Sequence, residues 1–88
     1  SETYSQRWTV HRFNVSRIGS IEERATQLCE DINDLNLEDD SLIAVGHSMG
    51  GLDLRYIVSK GHEYEQTKDK ELLKFYTAAK KIHKIYTL

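Results

Sequence analysis

The boundary between an apolar run and a glycine-rich turn constrains this chain more than any other feature. Leu42-Ile43-Ala44-Val45 stops at Gly46, Gly46-His47-Ser48-Met49-Gly50-Gly51 follows, and helical spacing resumes at Leu54, Ile57 and Val58. An apolar run that does not alternate with polar residues is the pattern of a parallel strand covered on both faces, so residues 42–46 are predicted to be a central strand. The G-x-S-x-G spacing of Gly46, Ser48 and Gly50 fits a sharp strand-to-helix reversal with the serine at its apex. Side chains at Gly46 and Gly50 are expected to collide in such a turn, and Gly51 is expected to let the helix lie close to the sheet. Three such fixed positions arise by chance in roughly 3% of chains this long. A strand before them and a helix after them make chance a poor explanation.

Around this boundary the remaining elements can be placed. Residues 8–15, from Trp8 to Val15, alternate large apolar with polar side chains and are predicted to form a strand. Ser20 with Glu23 three places on is a capping box, opening a helix over about 21–36 whose apolar face is Ile21, Ala25, Leu28, Cys29, Ile32 and Leu35. The helix after the turn is predicted over 51–60, with Gly61 suited to the left-handed position beyond its end. His62 to Lys70 reads as a polar connection. A further helix over 69–81 carries Leu72, Leu73, Tyr76 and Ala79 on its apolar side and ends in Lys80-Lys81, which complements a negative helix C-terminus. Residues 82–88 read as a last strand. The order strand, helix, strand, helix, helix, strand implies parallel crossovers and an α/β class, with ligands beyond the carboxyl ends of the strands.

Composition narrows the functions available. With 88 residues the chain makes one small domain at most, and its lone cysteine, Cys29, allows neither an internal disulfide nor a zinc cluster. Cys29 falls on the apolar face of its helix and is read as a buried, inert thiol. No run approaches the roughly 20 apolar residues of a bilayer span. Charge is divided: residues 1–53 sum to −6 and residues 54–88 to +4. Phe75, Tyr76 and Tyr86 lie among the lysines of the basic half, yet the pI is near 6.0 and no binding motif accompanies them, so this half is read as the solvated side of a helix and not as a nucleic-acid face. No metal-ligand spacing and no P-loop lysine appear, and no cofactor is implied.

Gly46-His47-Ser48-Met49-Gly50-Gly51-Leu52-Asp53, followed by Arg55-Tyr56, resembles the nucleophile elbow of lipase-type α/β-hydrolases, the triacylglycerol lipase and esterase branch. Gly19-Ser20-Ile21-Glu22-Glu23-Arg24-Ala25 is similar to the segment opening the helix before that elbow, and Lys84-Ile85-Tyr86-Thr87-Leu88 to the start of the strand after it. The resemblance implies a βαβαβ parallel-sheet segment from the middle of the α/β-hydrolase fold, incomplete relative to the whole. It implies Ser48 as nucleophile and the Met49 backbone N–H as one oxyanion donor, with Gly46, His47, Gly50 and Gly51 shaping the elbow. In the family the other oxyanion donor lies before the equivalent of Ser1, and the catalytic acid and histidine after the equivalent of Leu88. The expected activity is hydrolysis of a carboxylic ester or lipid, needing those groups from outside the chain, with negligible turnover by these residues alone.

Among groups inside the chain, His47 is held on the strand side of the turn and is read as packing or hydrogen-bonding near the site, not as its base. His11 and His83 fall on flanking strands, and His62 in a connection. Asp53 is expected to complement the helix dipole. Arg55 and Tyr56 are read as local contacts, and Tyr4, Trp8 and Phe13 as core in preference to an acyl-binding surface. Two other readings stand beside ester hydrolysis: a non-catalytic interaction module that keeps the elbow as a fold feature, and an acyltransferase or thioesterase on the same scaffold. Three parallel strands would leave two open edges, inviting self-association.

Overall fold

The computed structural model describes residues 8–13 and 18–88. Helix α1 (Ile21–Asp34) begins at the capping box read from the sequence: the Glu23 amide donates to Ser20 Oγ at 3.1 Å, and the Ser20 amide donates to Glu23 Oε1 at 2.8 Å. Strand β1 (Leu42–Gly46) leads into helix α2 (Met49–Thr67), a 3-10 turn over Lys70–Leu72, helix α3 (Leu73–Lys81) and strand β2 (Ile82–Thr87). The two strands run parallel, with Ala44 opposite Ile85 and Gly46 opposite Thr87. The fold is therefore mixed α/β, with both crossover helices between the paired strands. Among the described residues no helix is long and apolar enough to cross a membrane.

One core joins the three helices and β1, with Leu72 of the 3-10 turn and Ile82 and Ile85 of β2 packed at its margin. Ala25, Leu28, Cys29 and Ile32 of α1 meet Leu54 and Ile57 of α2, Phe75 and Ala78 of α3, and Ala44 of β1. The α1 stripe is the one its spacing predicts. On α3 the buried line is Phe75 and Ala78, flanked by Leu72, Tyr76 and Ala79, while Leu73 is exposed. Phe75 thus leaves the solvated side assigned to it: α3 turns its face toward the groove between α1 and α2, where a ring fills more space than Leu73 would.

Three expectations are corrected. Residues 8–13 form no strand, and Asn14 and Val15 lie outside the described residues. Alternation supplies a face but not a partner, and among the described residues no strand pairs with the other edge of β1. For the same reason, among the described residues β1 is not central and the sheet has two strands in place of three. Among the described residues no element covers its second face, where Ile43 is 38%, Val45 60% and Tyr86 48% exposed.

The third correction concerns Gly61, which lies buried inside α2 and not at its end. A Cβ there would sit 3.1 Å from Ala79 Cβ and 3.4 Å from Tyr76 Cα, so its small size lets α2 and α3 approach. The helix runs on through the polar stretch, where Lys60 pairs with Glu63 and His62 with Glu65. It stops at Lys68, whose φ of 56° takes the left-handed cap and whose amide donates to the Tyr64 carbonyl at 2.8 Å. The Lys80-Lys81 pair serves more than the helix terminus: both ammonium groups reach Asp39, at 3.3 and 3.4 Å. Those two contacts, Lys80 first, hold the Asp39 carboxyl below its usual range.

If Gly61 is a spacer, Gly61→Val should destabilise the fold by about 2 kcal/mol through overpacking. Denaturant unfolding should show Gly61→Val with Ala79→Gly recovering part of that loss, whereas a glycine that merely ended a helix would show no such coupling.

Candidate functional site

At the carboxyl end of β1 the chain reverses within three residues. Gly46 ends the strand, and Ser48 adopts φ 59° and ψ −119° before α2 starts at Met49. That conformation is sparsely populated for a residue with a side chain and costs on the order of 1–3 kcal/mol, so its surroundings must enforce it. The enforcing contact is backbone against backbone. A Cβ on Gly46 would lie 2.6 Å from the Gly51 nitrogen and 2.7 Å from Gly51 Cα, neither of which can swing aside. The Gly50 amide donates to the His47 carbonyl at 3.0 Å and the Gly51 amide to the Ser48 carbonyl at 3.1 Å, closing the turn. A Cβ on Gly51 would stand 3.0 Å from Thr87 Cγ2, so Gly51 brings α2 close to β2 as expected.

Gly50 does not behave as expected. Nothing lies within 4 Å of a Cβ built there. Its backbone carbon crowds Gly46, but its own Cβ direction opens into space, so the collision falls on Gly46 alone.

Ser48 occupies the position before a helix, where a serine side chain ordinarily accepts from the next turn's amides with the backbone extended. Here the positive φ turns the side chain out of that role, and Ser48 makes no cap hydrogen bond. Its hydroxyl is exposed and without a partner among the described residues. The Met49 amide, first of α2, likewise meets no acceptor among the described residues, while the two amides after it are taken. An uncommitted alcohol thus stands beside an uncommitted N–H at the positive end of a 19-residue helix.

No histidine of the described residues contacts that alcohol. His47 is exposed on the turn, His11 is exposed in 8–13, and His62 is on α2, with Nδ1 3.3 Å from Glu65 Oε1. His83 Nδ1 lies 2.9 Å from Asp40 Oδ1, at the amino end of β2 and so at the far end of the sheet from Ser48. His62 therefore sits on a helix and not in a connection, for the reason Gly61 does not end α2. Phe13 packs against the core, Trp8 is exposed, and Tyr4 lies outside the described residues. Tyr56 donates to Glu22 Oε2 at 3.3 Å and meets Phe75 edge-on. A concavity of about 480 Å³ between α2 and β2 is lined by Arg55, Val58, Ser59, His62, Ile85 and Thr87, and includes none of the turn residues.

Asp53 does not complement the helix dipole as expected: α2 starts at Met49, so Asp53 falls beyond its first turn, which carries no acidic residue. Asp53 is 1% exposed, and Arg24, 10% exposed, grips both its oxygens: Nη2 to Oδ1 at 3.1 Å, Nε to Oδ2 at 3.2 Å and Nε to Oδ1 at 3.3 Å. Arg24 Nη1 also donates to the Gly19 carbonyl at 3.0 Å. With both oxygens held, Asp53 is not free to orient a base. The partnership escaped the reading of the sequence, although each residue carried a signal. Arg24 falls three after Ile21 and four before Leu28, on the apolar stripe of α1. Asp53 falls one before Leu54 and four before Ile57, on that of α2.

Compared with known proteins, the chain matches no family model, no curated protein and no solved structure.

Two tests follow from these placements. Gly46→Ala should cost about 2–3 kcal/mol, the upper range for overpacking, whereas Gly50→Ala should be neutral or gain up to about 1 kcal/mol of helix propensity. Denaturant midpoints would compare them, and equal losses would remove the asymmetry. Burial pushes the Cys29 thiol from 9.0 up to about 12. The unfolded thiol therefore loses its proton first, and stability should fall as pH rises above about 9. A Cys29→Ala variant should lack that share of the alkaline slope in urea unfolding.

Proposed function

We propose that the chain is the nucleophile-bearing segment of a serine ester hydrolase, built on the lipase-type α/β-hydrolase plan. One observation carries this reading. Ser48 is held at φ 59° and ψ −119° between a strand and a helix, with its hydroxyl left out of the helix cap. A turn that only joined strand to helix would gain by letting the serine cap, by about 1 kcal/mol. Here the local rule is broken in the direction that frees an oxygen, as strain stored for chemistry would be.

In the proposed reaction Ser48 Oγ attacks the carbonyl carbon of a carboxylic or lipid ester while a base takes its proton. The carbonyl oxygen gathers negative charge and accepts from the Met49 N–H, a donor of a kind worth about 3 kcal/mol when removed from comparable sites. The alkoxide leaves as the alcohol, carrying the proton from the base. Water then cleaves the acyl-serine, giving the carboxylic acid and restoring the hydroxyl. The acid, the base and a second oxyanion donor come from outside the 88 residues. An acyltransferase or thioesterase would share the first half and differ in its acceptor or leaving group. The rival non-catalytic module draws on a different observation: no described histidine hydrogen-bonds the Ser48 hydroxyl, His62 and His83 being paired with Glu65 and Asp40.

A fluorophosphonate probe tests the proposal on the full-length natural polypeptide. The adduct should map by mass spectrometry to Ser48 and vanish in Ser48→Ala. A folded, full-length protein that leaves Ser48 unlabelled would favour the non-catalytic module. The 88 residues alone should label no faster than an ordinary surface serine, because a hydroxyl without a base is a poor nucleophile.

A further inference from the structure

We infer that Arg24 and Asp53 are positioning residues for Ser48: their buried fork sets the direction of the first turns of α2 and, through them, the serine turn and the Met49 amide. The inference rests on the proposed esterase reading and adds to it a source of alignment distant from the reacting atoms.

Its basis is where the pair sits and how completely it is used. Asp53 is the one buried charged residue among the described residues. It lies five residues after Ser48, about 7.5 Å along the helix axis. Arg24 meets it with Nε and Nη2 and spends Nη1 on the Gly19 carbonyl, so three nitrogens of a rigid planar group are engaged. Gly19, at φ 103°, immediately precedes the Ser20 capping box that opens α1. The start of α2 is thereby tied to the start of α1, itself fixed by that box. The Tyr56 bond to Glu22, three residues further along α2, is a second tie between the same two ends.

A role confined to stability is a poor account of this pair. Apolar residues of similar volume stabilise a buried site at least as well as an ion pair does. What the fork supplies, and apolar contact does not, is direction: two carboxylate oxygens against a guanidinium fix distance and plane together. Direction matters here because the apolar anchors of α2, Leu54 and Ile57, lie beyond Asp53, so between the Gly46–Gly51 contact and those anchors the fork is the polar tie nearest the turn. A tilt of the helix start would move Ser48 and the Met49 N–H together.

The test uses the full-length natural polypeptide and separates alignment from folding. Arg24→Met with Asp53→Leu keeps the volume and removes the fork, while Arg24→Lys keeps the charge and loses the planar geometry. Fluorophosphonate labelling across a concentration series gives the maximal rate at Ser48, thermal melting gives the folded fraction, and the three-bond amide–Hα coupling of Ser48 reports its φ. The double variant should remain folded yet label about 10- to 100-fold more slowly at saturation, with a shifted coupling and Arg24→Lys intermediate. An unchanged Ser48 coupling in the folded double variant would overturn the inference, whether or not the protein reacts with the probe. So would a loss of labelling that merely followed the loss of folded protein in both variants. A wild-type protein that folds but never labels counts instead against the esterase reading, and the coupling still decides the clamp.

Discussion

The approach of the Gly46 backbone to that of Gly51 is the constraint on which the other features turn. A strand and a helix meet there with no room for a single Cβ, 2.6 Å from a peptide nitrogen. The chain must reverse between them, and the residue at the apex takes the strain. Because Ser48 is forced to a positive φ, its side chain cannot reach back to the helix amides, and a hydroxyl that would otherwise be consumed is left over. The same approach sets Gly51 against Thr87, so α2 lies across both strands and its dipole ends at the turn. Strain of on the order of 1–3 kcal/mol at one residue survives only if the surroundings hold it. Here they include the parallel pairing of β1 with β2 and the close contact of α2 with α3 at Gly61.

Near this constraint the sequence was readable, because its signals are local. A capping box needs only Ser20 and Glu23, and it forms as written. The strand from Leu42 to Gly46 follows from an apolar run between acidic and glycine-rich flanks, and the turn from its glycine spacing. What escaped depends on partners distant in the chain. Trp8 to Phe13 have the alternation of a strand, yet they pair with neither edge of the sheet. Gly61 has the chemistry of a helix end, but the demand upon it comes from Ala79 and Tyr76 on another helix. Phe75 looked solvated beside Lys74, whereas the groove between α1 and α2 decides which side of α3 is buried.

Arg24 and Asp53 show the same division in another form. A charge on an apolar stripe is a local conflict, and each residue displays one. Only in the fold do the conflicts cancel, since burying either charge alone would cost several kcal/mol and burying them as a fork costs far less. Opposite charges on the buried faces of neighbouring helices are thus a signal that can be read before a structure is known, though it names the pair and not its geometry.

The exposed side of the sheet bears on the proposed function through its direction. Ile43, Val45 and Tyr86 form an apolar surface on a parallel sheet, and parallel sheets are ordinarily covered on both faces. The outer edges of β1 and β2 carry backbone groups that further strands would satisfy. These demands point across the strands, along the sheet normal and along the hydrogen-bonding direction. The demand made by Ser48 points along the strands, beyond their carboxyl ends, where a base and a second oxyanion donor would have to arrive. Covering the sheet and completing the proposed site are therefore separate requirements. A self-associated form that paired the edges or buried the open face would relieve the first and leave Ser48 chemically idle. Only groups delivered over the end of β1 would make it a nucleophile, so aggregation state and the proposed esterase activity would be independent measures of what surrounds this turn.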